Sequence, residues 1–196
     1  LWQELIKGMG LEVALFYRDI YDLLSAKVVT TYDQIEYGLY SNKDYGNAKG
    51  LEVKYDFVTG SFSAYANYTL QYSRGNADNP TTTFTRAGSS MDPISRLIPM
   101  SWDQRHTLNV TVGYNTPRFG STLTAYYNSG DTYTWSPLDE SQLSKVNLYP
   151  NNAKMPSTYS FDMSAFYDLP LVNRFKARLT LNIYNLLDTL NEWGVN

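Results

Sequence analysis

Along residues 61–72, SFSAYANYTLQY, apolar and polar side chains alternate one by one. Phe62, Ala64, Ala66, Tyr68, Leu70 and Tyr72 share one parity, and Ser61, Ser63, Tyr65, Asn67, Thr69 and Gln71 share the other. A strand sends successive side chains to opposite faces, so this pattern predicts a strand with one apolar face and one polar face. The alternation recurs over 11–17, 51–57, 108–114, 123–127, 159–167 and 175–183. With the opening LWQELI, the pattern predicts about eight strands.

The connections alternate too. KGMG, VTG, NTPRFG and DLPLVNR are short, while 73–103, 130–156 and a region after Ile20 are predicted as long polar links. Compact soluble domains rarely carry several structureless links of that size. Outer-membrane barrels place short turns on one side of the membrane and long loops on the other. Phe57, Phe62, Tyr114, Tyr167 and Phe175 flank the short turns on the apolar parity, and Tyr17, Tyr72, Tyr127 and Tyr159 sit at the opposite strand ends. Two aromatic rings around an aliphatic middle form the girdles of such barrels. The fold class predicted is therefore all-β: an antiparallel transmembrane β-barrel, present as a partial barrel. The competing reading is a soluble antiparallel sandwich with one wetted face. The pattern breaks over 31–50, where Lys43, Asn47 and Lys49 take the parity that is apolar from Leu51 onward. Either a bulge near Gly46 or Gly50 shifts the register, or the strand runs beyond the membrane where both faces are wet.

Composition narrows the chemistry. The 196 residues include no Cys, which excludes a disulfide framework, a thiolate metal site and a Cys nucleophile. A net charge of −3 without a basic run provides no footprint for nucleic acid. The 18 Tyr suit a boundary between oil and water. No stretch approaches the ~20 apolar residues of a spanning helix, which leaves a barrel open because its strands hide their apolar half in alternation. The chain opens without a basic start and apolar run, and is expected to be an internal piece of a longer polypeptide.

YGNAKGLEVKYDF, SWDQRHTLNVTVGY and LTLNIYNLLDTLNEW follow one another along the chain. They resemble the Gly-hydrophobic-Glu segment, the Arg-His-Thr re-entry strand and the Asn-Leu-Phe-Asp strand close of TonB-dependent outer-membrane receptors, with Leu187 where Phe is usual. The resemblance implies energy-coupled uptake of a scarce nutrient: an iron chelate, cobalamin, haem, a glycan or a peptide. It implies the outer membrane of a Gram-negative-type cell as location. The implied partners are lipid, the rest of the barrel, a plug, the coupling protein TonB and, for a glycan or peptide, a surface lipoprotein. Residues 1–196 would be the C-terminal part of a barrel of about 22 strands, with plug, N-terminal strands and final strand elsewhere. The rival function is a non-transporting barrel acting as adhesin, anchor or envelope subunit.

Catalysis and cofactors are not expected. His106 is the one His, and it has no His or Cys companion for a metal and no recognisable nucleophile spacing. Asp33, Glu36, Asp44, Glu52, Asp56 and Asp162 lack the regular spacing of a calcium loop. Glu52, Lys54, Asp56, Lys176 and Arg178 occupy the polar parity and are candidates to face the lumen near the short turns, paired with one another or a plug, or simply hydrated. Trp102, Trp135 and Trp193 on the long links, with Arg96, Tyr133, Tyr149 and Phe84 also on those links, are candidate ligand contacts. Packing of the loops on one another, or anchoring at headgroups, is the alternative.

Overall fold

The computed structural model describes residues 2–82, 96–137, 148–170 and 177–192. Phe84, Lys176 and Trp193 lie outside the described residues, as does the side chain of Lys43. The strands are β1 (Trp2–Ile6), β2 (Met9–Thr30), β3 (Glu36–Thr59), β4 (Phe62–Gly75), β5 (Ile98–Pro99), β6 (His106–Asn115), β7 (Phe119–Asn128), β8 (Thr132–Tyr133), β9 (Ala153–Lys154), β10 (Thr158–Leu169) and β11 (Ala177–Ile183). One antiparallel sheet runs β1-β2-β3-β4-β6-β7-β10-β11, with β5 added to β4, and β8 pairs β9 separately. The wall is a meander: each long strand pairs with the next long one. Left-handed Gly8 (φ 81°) and Gly60 (φ 53°) make the two tightest turns, where a side chain would strain the backbone.

The register keeps the aliphatic positions of the alternating pattern on one face. Val53 lies opposite both Val13 and Tyr68, Val110 opposite Ala66 and Ala125, and Met163 opposite Leu123 and Ile183. The reverse face collects Glu12, Lys54, Asn67, Asn109 and Tyr126 on a single rung. Phe16 and Phe166 also fall on this polar face, and each lies over a glycine. A Cβ on Gly50 would stand 2.6 Å from the Phe16 ring, and one on Gly120 would stand 2.1 Å from the Phe166 ring.

The strands are staggered. Met9, Phe57, Ala64, Val112, Leu123, Met163 and Ile183 share one rung. Measured from that rung, the last pair before successive short turns moves down. Ile6–Met9 lies on it, Thr59–Phe62 two residues below, Asn115–Gly120 three and Leu169–Ala177 six. Six residues over the six strand-to-strand steps between the first and last hairpins is one residue per strand. With ~3.3 Å per residue and ~4.8 Å between strands, the tilt is roughly 35°, close to the about 35–45° of closed barrels. The lower aromatics descend at the same rate: Phe57 on the reference rung, Phe62 and Tyr114 two below, Phe119 and Tyr167 four below. On a wall so tilted these rings are level, as a girdle requires. Tyr17, eight residues above the rung on β2, and Tyr127, four above on β7, are level by the same rule.

The hydrophobic core is not in the wall. Among the described residues, the buried apolar side chains are Ala26, Ile98 and Met100, all at the end opposite the short turns. In contrast Leu15 is 82% exposed, Leu179 60% and Leu181 53%. A soluble sandwich would bury those leucines under a second layer, and no second layer covers them among the described residues.

The region after Ile20, expected as a long link, is instead the top of a tall hairpin. β2 and β3 stay paired from Leu24–Asn42 up to Thr30–Glu36 and are joined by residues 31–35. Two compensating irregularities lie between Ile20 and Leu24: β2 carries one extra residue between Ile20–Gly46 and Leu23–Asp44, and β3 carries one between Leu23–Asp44 and Leu24–Asn42, so the register above matches that below. Asp22 is left-handed at φ 58°, with its carbonyl held by Asn42 at 2.9 Å. β3 itself is unbroken through Gly46 and Gly50. β4 leaves β3 at Gly46–Gly75; beyond that rung the hairpin is touched by the loop after β4, through Asn76 at Tyr45 and Pro80 at Ala26. Of the two expected alternatives, the bulge near Gly46 or Gly50 is absent, because β3 pairs regularly with both neighbours there and the irregularities lie higher and cancel, whereas the strands do run past the girdle.

Leu181 lies four residues above the last described pair of its hairpin, on the outward face, and Thr180 faces inward. Arg at position 181 should cost about 2–4 kcal/mol, because the guanidinium must snorkel or draw water into hydrocarbon. Arg at position 180 should cost less than about 1 kcal/mol. Urea titration of the full-length protein folded in bilayers checks this, and equal costs at the two positions would mean that the apolar parity faces something other than lipid.

Candidate functional site

At the end opposite the short turns, the connections 76–105 and 129–157 fold onto each other. β5 extends β4 through Arg74–Pro99 and Gly75–Ile98, and β8 pairs β9 through Thr132–Lys154 and Tyr133–Ala153. Asp103 holds the two together. Its side chain is fully buried. One oxygen accepts the Ser73 N–H at 2.8 Å. The other accepts from Arg105 at 2.9 Å and meets Lys154 Nζ at 3.3 Å. Lys154 also donates to the Asp103 carbonyl at 2.5 Å. The Arg105 guanidinium lies 3.9 Å over the Tyr72 ring. A single carboxylate therefore ties β4, the entrance to β6, and β9.

A second tie lies alongside. Asp78 accepts from the Ser101 N–H at 2.8 Å and from the Asn151 amide at 2.6 Å, and the same amide donates to the Pro99 carbonyl at 2.9 Å. The buried Thr132 hydroxyl donates to the Met100 carbonyl. Asn76 and Tyr45 exchange bonds at 2.9 and 3.0 Å, which fastens the first loop to the tall hairpin.

Burial alone would push the Asp103 carboxyl up, but the Ser73 amide, Arg105 and Lys154 outweigh it and hold the group below its ordinary 3.8.

Below the ties a crevice of about 390 Å³ opens on the polar face. Tyr126 and Asn128 of β7 and Thr158 of β10 form its wall, with Gln104, Asp131 and Glu192 at its edge. Gln104 is steadied by the Thr107 hydroxyl at 3.1 Å. Asn191, also on the lining, binds both the N–H and the C=O of Tyr159, at 3.0 and 3.1 Å.

The structure separates the candidate residues. Trp102, Trp135, Tyr149 and Arg96 are exposed, and Tyr133 is half-buried in the β8–β9 pair. Arg96 and Tyr149 line a concavity of about 240 Å³ with Arg74 and Pro99, away from the lumenal crevice. Of the charged set, Lys54 pairs with Glu12 at 3.7 Å, and Arg178 grips Asp168 through two bonds of 2.6 and 2.8 Å while lying 4.1 Å over Phe166. These partners come from outside the candidate set. Glu52 stands seven residues up β3 from Thr59, well above the short turns, whereas Asp56 and Arg178 are near them. His106 faces outward at the β6 entrance, with Nδ1 2.9 Å from the Tyr68 hydroxyl. Sequence reasoning passed over Asp103, Asp78 and Asn151. The Asp-x-Arg spacing of 103 and 105 was the available signal, because it puts both groups on one side of an extended chain.

A tilted antiparallel meander with one aliphatic face, one polar face, level aromatic girdles and latched loops at one end is a stretch of outer-membrane β-barrel wall. Residues 2–186 match the family model described as TonB dependent receptor-like, beta-barrel, and the chain belongs to that family. Its structure is similar to the outer membrane transporter YddB from Escherichia coli, with a TM-score of 0.67 at 12% identity. It is also similar to the ferric-catecholate import receptor Fiu from Escherichia coli K12, in its closed form, with a TM-score of 0.58 at 22% identity. Each likeness covers 96% of this chain but only 28% and 22% of those chains, and at these identities it is a likeness of fold. No curated protein matches the chain. Membership of the family locates the protein in the outer membrane of a Gram-negative cell.

Asp103→Asn should loosen the loops by about 1–3 kcal/mol, since two cations lose their shared acceptor. Limited proteolysis of the full-length protein should then cut the 129–157 connection faster at neutral pH. Because the carboxyl is held low, the wild-type tie is fully present above pH 3.8 and is lost only as pH falls through the still lower folded value. Wild-type loops that open at pH 5 would contradict this account.

Proposed function

We propose that the complete protein imports a scarce nutrient, and that residues 1–196 form a C-terminal part of its barrel wall, with plug and remaining strands supplied by the rest of the polypeptide. In this reading the loops and the upper lumen capture the ligand, and TonB, pulling on the plug, opens the way through. The wall performs no covalent chemistry. It excludes lipid, lines the path with polar groups and carries the capturing loops.

The lumenal crevice carries this reading. Amides at Gln104, Asn128 and Asn191, a hydroxyl at Thr158, a phenol at Tyr126 and carboxylates at Asp131 and Glu192 converge on it, and none of its lining side chains is cationic. Such a surface suits a neutral or cationic ligand rich in hydroxyls or amides. A glycan or a peptide fits it better than an anionic iron chelate, which the two carboxylates would repel. A surface lipoprotein partner belongs with that choice of substrate.

Uptake of labelled oligosaccharide, peptide and ferric chelate by cells carrying the full-length protein tests the proposal. The Tyr126→Ala, Asn128→Ala double variant should lower uptake of the true substrate roughly tenfold, as expected for a little over 1 kcal/mol of lost contact. Uptake should vanish without TonB. Uptake independent of TonB, or no uptake of any of the three, would favour a non-transporting adhesin or anchor.

A further inference from the structure

Above the girdle, where β2 and β3 form the tall hairpin, polar groups are buried without partners. Ser25 and Ser41 lie opposite each other, and both hydroxyl oxygens are buried with no hydrogen-bond partner. Ser25 is fully buried. Asp44 is 6% exposed, yet it makes no ion pair and no side-chain hydrogen bond among the described residues. The other acids nearby are engaged: Asp19 accepts from the Tyr45 hydroxyl, and Asp78 holds Ser101 and Asn151.

The three orphaned groups share one surface. Leu23 lies opposite Asp44, and Ser25 follows Leu23 by two residues on β2. Positions two apart on a strand point the same way, so Asp44 sits beside the Ser25–Ser41 rung. The segment after β4 covers that surface. Asn76 exchanges bonds with Tyr45 at the far edge of β3. At the hairpin tip the Thr31 N–H meets the Ile35 carbonyl, so odd positions of upper β2 turn their amides toward β3 and even positions turn theirs away. The Ala26 N–H therefore leaves the far edge of β2, where it reaches the Pro80 carbonyl at 2.7 Å. Residues 77–79 must cross the hairpin between these two edges. They cross on the Ser25–Asp44 side, because Leu24, Asn42 and Tyr40 on the reverse side are exposed, and only Ala26, beside Pro80 at the edge, is buried there. Asp78 pins the crossing in its middle through Ser101 and Asn151.

A buried carboxylate without a counter-charge and two buried hydroxyls without partners are each costly, and together they present only oxygen. We infer that Asp44, Ser25 and Ser41 bind a calcium ion, which clamps the tall hairpin to the segment 76–80. An all-oxygen set selects a hard cation over the softer transition metals. Magnesium demands a near-ideal octahedron, whereas calcium accepts an irregular shell of about six to eight oxygens that water can complete, which suits ligands drawn from an irregular strand pair. One carboxylate places the affinity in the weak class of extracellular calcium modules, about 10⁻⁴–10⁻³ M. The long loops put this end of the wall outside the cell.

Equilibrium dialysis of radioactive calcium against full-length protein, stripped of lipid and metal and held in detergent, tests the site. Wild type should bind one ion that Asp44→Asn binds about tenfold more weakly. Ser25→Ala with Ser41→Ala should weaken the same ion roughly threefold. Asp33→Asn removes an equal charge from the exposed hairpin turn and should leave binding unchanged. Calcium should also slow trypsin cleavage after the exposed Lys27 in wild type and not in Asp44→Asn. Heat-modifiable gel mobility verifies folding, and the serine pair carries the reading at smaller amplitude if Asp44→Asn fails to fold. No binding at millimolar calcium, equal affinity in wild type and Asp44→Asn, an unchanged affinity in the serine pair, an equal loss in Asp33→Asn, or displacement by sodium at the same concentration would overturn the assignment.

Discussion

Hydrocarbon offers a backbone no hydrogen-bond partner, and the architecture of this chain follows from that. Every N–H and C=O at membrane depth must be met by another strand, so the strands are long, antiparallel and paired rung for rung. Where a neighbouring strand runs out, a side chain continues the pairing. Asn191 meets both backbone groups of Tyr159, and Asp162 accepts the N–H of Asn185 at 2.8 Å beyond the end of β11. Asn185 in turn clasps Thr189 from both ends of its amide, with bonds of 3.0 and 3.1 Å. The Asn-Leu-Leu-Asp close is thus a device that finishes a strand without leaving amides bare.

The molecule is stabilised by different means at its two levels. In the wall, apolar side chains face outward and lipid takes the place of a core. Above it, water is present and the loops hold by polar ties, Asp103 foremost, around a small apolar cluster of Ile98 and Met100. Low dielectric strengthens the charge contacts of Asp103, and the surrounding amide and cations offset the cost of burying it. The long loops therefore present a shaped surface over the lumen.

The strands of the wall were legible in the sequence because each writes its own period: Phe62 to Tyr72 or Leu51 to Phe57 can be read without knowing their neighbours. Parity also separated Thr180 from Leu181 correctly. The loops were not legible. β5, β8 and β9 are two residues each, too short for any period. Asp78 and Asn151 are 73 residues apart and share no local pattern. The bulge was sought near Gly46 and Gly50 because glycine is the usual marker, but pairing is regular there; the irregularities lie higher, one extra residue on β2 beside left-handed Asp22 and a compensating one on β3 between Asp44 and Asn42, and no glycine marks either. The lumenal pairs Lys54–Glu12 and Arg178–Asp168 needed the register, which one strand alone does not carry.

The stagger bears on how such a wall changes over generations. Inserting or deleting one residue in β6 or β7 would exchange the two faces beyond that point, setting threonines against lipid and valines against water. A change of two residues would restore the faces and alter only strand height, by about 6–7 Å along the strand. Viable length changes within the wall should therefore come in pairs, or be offset on the neighbouring strand, as the extra residue of β2 near Asp22 is offset on β3 between Asp44 and Asn42. The loops above are free of that parity and can lengthen by any number. Lineages of this protein should diverge in their loops residue by residue, and in their strands two at a time.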